Sequence, residues 1–248
     1  MLRRCRAIIF DLDDTLVPTS KIDRAAILAA ASGVERCAAR FAELLKAEPF
    51  PAPDSSHDVP SWRSMLWARA LASSEDAEVS ISPAARSAYE SWSEQRLTNF
   101  RFDEEVVALV KRLQAAGYKT GVLTNGHKDV QRAKTAACGA EALFGAANVI
   151  VAGEHPEQKP HPSIFRVACR ALGEEPEHVV MVGDSYNADV TGGINAGLLA
   201  TVWIQPAIDA TSESMMHDHV SAVPAGKPPP THTIASVLDL EAVLERVG

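Results

Sequence analysis

Ala7-Ile8-Ile9-Phe10-Asp11-Leu12-Asp13-Asp14-Thr15-Leu16 is the stretch that decides the architecture of this chain. Four consecutive apolar residues run, without polar alternation, into a cluster of carboxylates. A short unbroken apolar run reads as a strand buried on both faces, and such strands belong to parallel sheets covered by helices. The carboxylates then stand at the C-terminal end of the strand, the edge at which α/β sheets bind their ligands.

Working outward, residues 21–98 interrupt this pattern with a block that reads as helix throughout. Ile27, Ala31, Val34, Ala38, Phe41 and Leu45 recur at helical spacing across Ile22 to Lys46, and the Pro-rich run Pro49-Phe50-Pro51-Ala52-Pro53 ends that segment. Two further helices are expected, over Ser61 to Ala72 and from Pro83 through Tyr89 and Trp92 to about Leu97. Strand–helix alternation then begins. Helices are expected over Asp103–Ala116, Lys128–Cys138 and Pro162–Leu172, with Gly117 and Gly173 as stops. Strands are expected over Tyr118–Leu123, Asn148–Ala152, His178–Val182 and Leu199–Ile204. The stretch 206–231 reads as a long loop, Ile234–Leu238 as a last short strand or turn, and Leu240–Val247 as a closing helix. Repeated strand–helix units imply a doubly wound α/β core in two pieces, residues 1–20 and 99–248, around a helical insertion, residues 21–98.

The chain is 46% apolar and 23% charged, a balance that supports an ordinary buried core. Its net charge of −8 argues against nucleic acid or an anionic membrane as partner, and leaves room for a small anionic substrate in a locally basic cleft. Cys5, Cys37, Cys138 and Cys169 are scattered, without a C-x-x-C pair, and are expected to be reduced thiols rather than a disulfide framework or a zinc site. No apolar stretch is long enough to span a bilayer, and the cytoplasm is the expected compartment.

Four polar clusters follow four of the expected strands: Asp11-Leu12-Asp13, then Thr124-Asn125-Gly126, then Lys159 before Pro160, then Gly183-Asp184 with Asp189. Taken singly, each is an ordinary cap, turn or solvated residue. Taken together at one sheet edge, they make a pocket of carboxylates, one ammonium, a hydroxyl and a glycine turn. Crowded carboxylates repel one another, and a hard dication such as Mg²⁺ is the natural compensation. Carboxylates, metal and lysine together suit a phosphoryl group, whose charge must be neutralised while a nucleophile approaches in line.

Asp11-Leu12-Asp13-Asp14-Thr15-Leu16, Thr124-Asn125-Gly126, Lys159-Pro160 and Gly183-Asp184-Ser185-Tyr186-Asn187-Ala188-Asp189 resemble the four motifs of the haloacid dehalogenase superfamily of phosphatases. The resemblance implies a Rossmann-like core with an inserted all-helical (C1-type) cap. It implies Asp11 as the nucleophile that attacks phosphorus, and Asp13 as the acid that protonates the leaving oxygen and then the base that deprotonates water. Mg²⁺ would be held by the Asp11 carboxylate, the Asp13 backbone carbonyl and the Asp184 carboxylate. Thr124, Asn125 and Lys159 would grip the phosphate, helped by amides around Leu12 and Gly126, and Asp189 would orient Lys159. The likeness also extends over residues 153–204 into Ser163-Ile164-Phe165 and Thr201-Val202-Trp203-Ile204, which catalysis alone does not require.

The reading is therefore a Mg²⁺-dependent phosphatase acting on a small phosphorylated metabolite. Phosphoglycolate, a sugar phosphate and a nucleotide stay open as substrates. Carbon–halogen hydrolysis needs neither Asp13 nor Asp184, and a non-enzymatic binding module would need none of the four motifs. Elsewhere, His155, His161 and the run Met215-Met216-His217-Asp218-His219 read as loop residues rather than metal ligands. Trp62, Trp67 and Trp92 read as helix packing, and Arg63, Arg69, Arg86 and Arg96 as mostly solvated.

Overall fold

The computed structural model describes residues 4–48, 50, 58–72, 79–205 and 222–247. These fall into two compact units, the helical one spanning Thr19–Phe100 and the other formed by the flanking chain. The Met215–His219 run, the Pro51-Ala52-Pro53 part of the Pro-rich stretch, and the expected loop as far as residue 221 lie outside the described residues.

Among the described residues, the α/β unit holds six strands: β1 (Ala7–Phe10), β2 (Lys119–Thr124), β3 (Val149–Val151), β4 (Val179–Gly183), β5 (Ala200–Ile204) and β6 (His232–Ile234). They form one sheet in the order β3-β2-β1-β4-β5-β6, and every pairing is parallel. This is the doubly wound order in which the direction of strand addition reverses beside the first strand. β1 therefore lies centrally, with Ala7 opposite both Lys119 and Val179. β1, β4 and β5 are buried at every position, which is why they read as unbroken apolar runs. On one face Ile9, Leu123 and Met181 pack with Ile164, Phe165, Cys169 and Leu172.

Among the described residues, four helices belong to the helical unit: α1 (Thr19–Ala30), α2 (Glu35–Ala47), α3 (Val59–Leu71) and α4 (Pro83–Asn99). Six lie in the α/β unit: α5 (Glu104–Ala115), α6 (Lys128–Ala137), α7 (Ala140–Phe144), α8 (Pro162–Leu172), α9 (Gly192–Ala196) and α10 (Leu240–Val247). Two findings correct the sequence expectation. The segment Ile22–Lys46 is two helices, because Ser32 (φ 53°) and Gly33 (φ 76°) turn left-handed and close α1, with the Gly33 N–H donating to the Leu28 carbonyl at 3.0 Å. The final strand begins at His232 rather than Ile234 and completes the sheet beside β5.

The helical unit has its own aromatic core. Phe41 stacks on Trp67 with ring centroids 3.9 Å apart and meets the edge of Trp92 at 5.1 Å. Trp67 and Trp92 are fully buried, whereas Trp62 is half-buried against Phe50. Arg63 and Arg96 are buried too, which corrects their reading as solvated. Their guanidinium groups lie 4.8 Å and 5.2 Å from the Trp92 ring centroid, so cation–π attraction replaces part of the lost hydration. Asp23, also buried, pairs with Arg96. Burial, and then repulsion from Arg96, lower the Arg63 guanidinium to about 9. Arg69 pairs with Glu48 at 2.8 Å, and Arg86 is exposed as expected.

Because Trp67 fills the centre of this core, Trp67→Ala is expected to destabilise the helical unit by about 3–5 kcal/mol. Hydrogen exchange at α2–α4 amides should accelerate accordingly, and unchanged protection there would refute the packing account.

Candidate active site

Parallel pairing brings the ends of β1, β2, β3 and β4 to one edge, and the four clusters follow them there. The Asp11 N–H still donates to the Val182 carbonyl at 2.9 Å, so the first carboxylate is fixed by the sheet ladder itself. The chain then folds back. Leu16 N–H bonds the Leu12 carbonyl at 3.0 Å, and Asp14 N–H bonds the Val17 carbonyl at 2.8 Å. Asp14 carries a positive φ of 56°, a conformation that Asp and Asn adopt more readily than most side chains, and that accounts for its type.

Lys159 joins the clusters. Its Nζ lies 2.6 Å from Asp11 Oδ1 and 2.7 Å from Asp189 Oδ1, and all three side chains are buried. Asp189 sits in a widened helical turn, Tyr186–Thr191, and its Oδ2 accepts the Ser185 N–H at 3.0 Å. Gly183 is required at the end of β4 because a Cβ there would run into the Asp189 carboxylate. Asp184 completes the group. Thr15 Oγ1 donates to its Oδ1 at 3.4 Å, and Trp203 Nε1 donates to its backbone carbonyl at 2.8 Å.

Oxygens of Asp11, Asp184 and Asp189 lie within 4.8 Å of one another. Three buried carboxylates thus face one lysine. Burial pushes the Asp11 carboxyl up to about 7 against the opposing pull of Lys159, with Asp189 and Asp13 adding to the rise. Lys159 is shifted upward in turn: burial disfavours its charge, and the attraction of Asp11 and Asp189 outweighs that. Asp189 belongs to the cluster geometrically, but its oxygens are taken by Lys159 and the Ser185 amide. Asp11 and Asp184 are the better donors to a cation.

The Thr124–Gly126 turn is joined to the Lys159 segment by its own hydrogen bonds. Asn125 Nδ2 donates to the Lys159 carbonyl at 2.8 Å, and its Oδ1 accepts the Lys159 N–H at 2.9 Å. The side-chain amide thereby acts as a surrogate strand neighbour for the Lys159 backbone, which precedes a cis bond to Pro160. Gly126 N–H donates to Gln158 Oε1 at 2.9 Å, and the Thr124 hydroxyl is buried, within 3.5 Å of the Asn125 carbonyl. Leu12 is fully buried.

Sequence reasoning missed two members. Lys134 Nζ lies 2.7 Å from Asp13 Oδ1, and Gln131 Nε2 donates to Asp13 Oδ2 at 2.9 Å. The available signal was their i, i+3 spacing on a helix with few apolar residues. His161 caps α8, its Nδ1 accepting the Ser163 N–H at 3.3 Å.

Comparison with known proteins agrees with this edge. The profile of haloacid dehalogenase-like hydrolases matches residues 5–197. The N-acylneuraminate-9-phosphatase of Rattus norvegicus is 32% identical over 259 residues, covering 99% of this chain and 96% of that protein. The likeness noted over residues 153–204 is to the same group of phosphatases, and here it extends along nearly the whole chain. A glyceraldehyde 3-phosphate phosphatase of Pyrococcus furiosus is 31% identical, covering 82% of each chain. Among solved structures, the HAD hydrolase YfnB of Bacillus subtilis bound to magnesium shares the fold, with a TM-score of 0.65, 20% identity, and coverage of 98% of this chain and 99% of that one. With the strand edge, its buried carboxylates and near-full-length phosphatase relatives in agreement, this chain belongs to the haloacid dehalogenase-like hydrolases and is a phosphoric monoester hydrolase.

Proposed function

We propose that this phosphatase is Mg²⁺-dependent and that its substrate is N-acylneuraminate 9-phosphate or a close nine-carbon acyl-sugar phosphate. The observation that carries the chemistry is the Lys159 ammonium between Asp11 and Asp189, with Asp184 beside them. Three hard oxygen donors against one lysine leave negative charge uncompensated, and that donor set fits a small dication. Mg²⁺ would be held by the Asp11 carboxylate, the Asp13 backbone carbonyl and the Asp184 carboxylate, and when bound it would neutralise the phosphoryl oxygens.

The chain's own groups do the rest. Asp11 attacks phosphorus, and the ester P–O bond breaks as Asp13 gives its proton to the leaving oxygen. Asp13 then takes a proton from water, whose oxygen attacks the phospho-aspartate and releases inorganic phosphate. Lys159 stabilises charge on the transferring group. Thr124, and the backbone amides that follow Asp11, complete the phosphate contacts. Asn125 acts through Lys159, whose backbone it clamps.

The substrate rests on similarity that runs the length of the chain and past the catalytic motifs. A nonulosonate 9-phosphate carries a carboxylate far from its phosphate. Charge-assisted recognition of that group is worth about 1.5–3 kcal/mol, or roughly ten- to hundred-fold in discrimination. The test is kcat/KM for N-acetylneuraminate 9-phosphate beside glyceraldehyde 3-phosphate, phosphoglycolate, glucose 6-phosphate and a nucleoside monophosphate, with Mg²⁺ and with excess EDTA. The nine-carbon ester should lead by about tenfold or more, and EDTA should abolish every rate. A tenfold preference for another ester would overturn the substrate, and undiminished turnover after chelation would overturn the metal.

A further inference from the structure

The face that α6 turns inward is polar. Gln131, Lys134 and Thr135 are its buried residues, and Gln131 and Lys134 are only 5% and 4% exposed. An apolar pair of similar size would pack there at lower desolvation cost, because burying an ammonium is expensive even when it is paired. Both side chains converge on one group. Lys134 Nζ holds Asp13 Oδ1 at 2.7 Å, and Gln131 Nε2 holds Asp13 Oδ2 at 2.9 Å. The same Gln131 Nε2 donates to the Asn125 carbonyl at 2.6 Å, which ties Asp13 to the β2 turn. The arrangement also explains Gly126. A Cβ there would come within 2.9 Å of Gln131 Nε2, so any larger residue would push the amide off Asp13.

We propose that Gln131 and Lys134 are positioning residues for Asp13, one for each carboxylate oxygen. They hold the plane of the carboxyl group so that one oxygen meets first the leaving group and then the attacking water. Neither touches the phosphoryl group; both act through Asp13. This rests on the acid–base role given to Asp13 above.

A positioned acid matters in proportion to the basicity of the leaving group. An alkoxide must be protonated as it departs, whereas p-nitrophenolate is stable without a proton. The experiment therefore measures the rate of enzyme phosphorylation, in rapid-quench single turnovers, with an alkyl phosphate and with p-nitrophenyl phosphate. Lys134→Met and Gln131→Met keep side-chain volume while removing the donor.

Each should slow the alkyl ester by about tenfold or more, a part of the 10²–10⁴ that a general acid contributes, and change the p-nitrophenol burst by less than about threefold. Lys134→Arg should recover most of the alkyl rate, and KM should stay near the wild-type value. Equal slowing of both esters, or no slowing, in a Gln131→Met protein with a native circular dichroism spectrum would overturn the proposal. Asp13→Asn separates the two readings. If it shows the leaving-group-selective loss while the Gln131 and Lys134 variants do not, the positioning proposal fails and the role of Asp13 stands. If Asp13→Asn shows no such selectivity, both fail.

Discussion

Asp11→Asn is expected to yield a folded protein whose turnover is at least about 10⁴-fold below wild type, because in the proposed mechanism Asp11 forms the phospho-enzyme and a neutral amide does not attack phosphorus. Steady-state assays on protein checked by mass spectrometry for deamidation back to Asp measure it; near-wild-type rates would remove Asp11 from the mechanism. The same substitution carries a stability signature. The Asp11 carboxyl lies at about 7 instead of 3.8, chiefly through burial. A folded-state value above the unfolded one means that its stabilising contribution is complete below pH 3.8 and is lost as pH rises through about 7. Without metal, wild type should therefore lose stability relative to Asp11→Asn across that window, by at most about 4 kcal/mol. Urea midpoints in EDTA at several pH values give the difference, and a pH-independent gap would contradict the electrostatic account. Mg²⁺ should close it for wild type.

Lys159→Met is expected to damage both catalysis and fold. The ammonium is 1% exposed and bridges two buried carboxylates at 2.6 Å and 2.7 Å. Without it Asp11, Asp184 and Asp189 face one another with no lysine between them, and breaking a buried ion pair from one side costs about 3–5 kcal/mol. The phosphoryl group also loses a fixed cation in a dry site, so kcat/KM should fall by about 10³-fold or more. Lys159→Arg should not restore it, since a planar guanidinium cannot place one nitrogen at both 2.6 Å from Asp11 and 2.7 Å from Asp189 as the ammonium does. A Lys159→Met enzyme within tenfold of wild type would mean that the lysine is structural only.

Much of this molecule is written plainly in its sequence, for physical reasons. β1, β4 and β5 are covered on both faces, so nearly every residue had to be apolar and the runs announce themselves. Asp11, Lys159, Asp184 and Asp189 are legible because a parallel sheet converts strand ends into a shared edge. What was hidden is hidden for equally definite reasons. The apolar spacing runs on in register from Ile27 to Leu45, so the break at Ser32-Gly33 leaves no gap in the pattern. β6 is three residues, His232-Thr233-Ile234, too short to show a period. Gln131 and Lys134 look like the solvated face of an ordinary helix, since one-dimensional spacing says nothing about a carboxylate folded onto them. Arg63 and Arg96 mislead in the same way: the aromatic ring that lets them be buried, Trp92, is distant from Arg63 in sequence. Asn125 was found by its motif, but its bonds to the Lys159 backbone could be known only from coordinates.

The central placement of β1 has a consequence for how the protein is made. Strand β1 leaves the ribosome well before the segments that hydrogen-bond to it, Lys119–Val122 and Val179–Val182. At ordinary rates of translation the delay is on the order of ten seconds. During that interval Ala7-Ile8-Ile9-Phe10 is a bare apolar segment with unpaired amides on both sides, while the helices of Thr19–Phe100 can already close on their own aromatic core. Asp11 therefore acquires its surroundings only when Lys159, Asp184 and Asp189 have been synthesised, long after the helical span Thr19–Phe100 is complete.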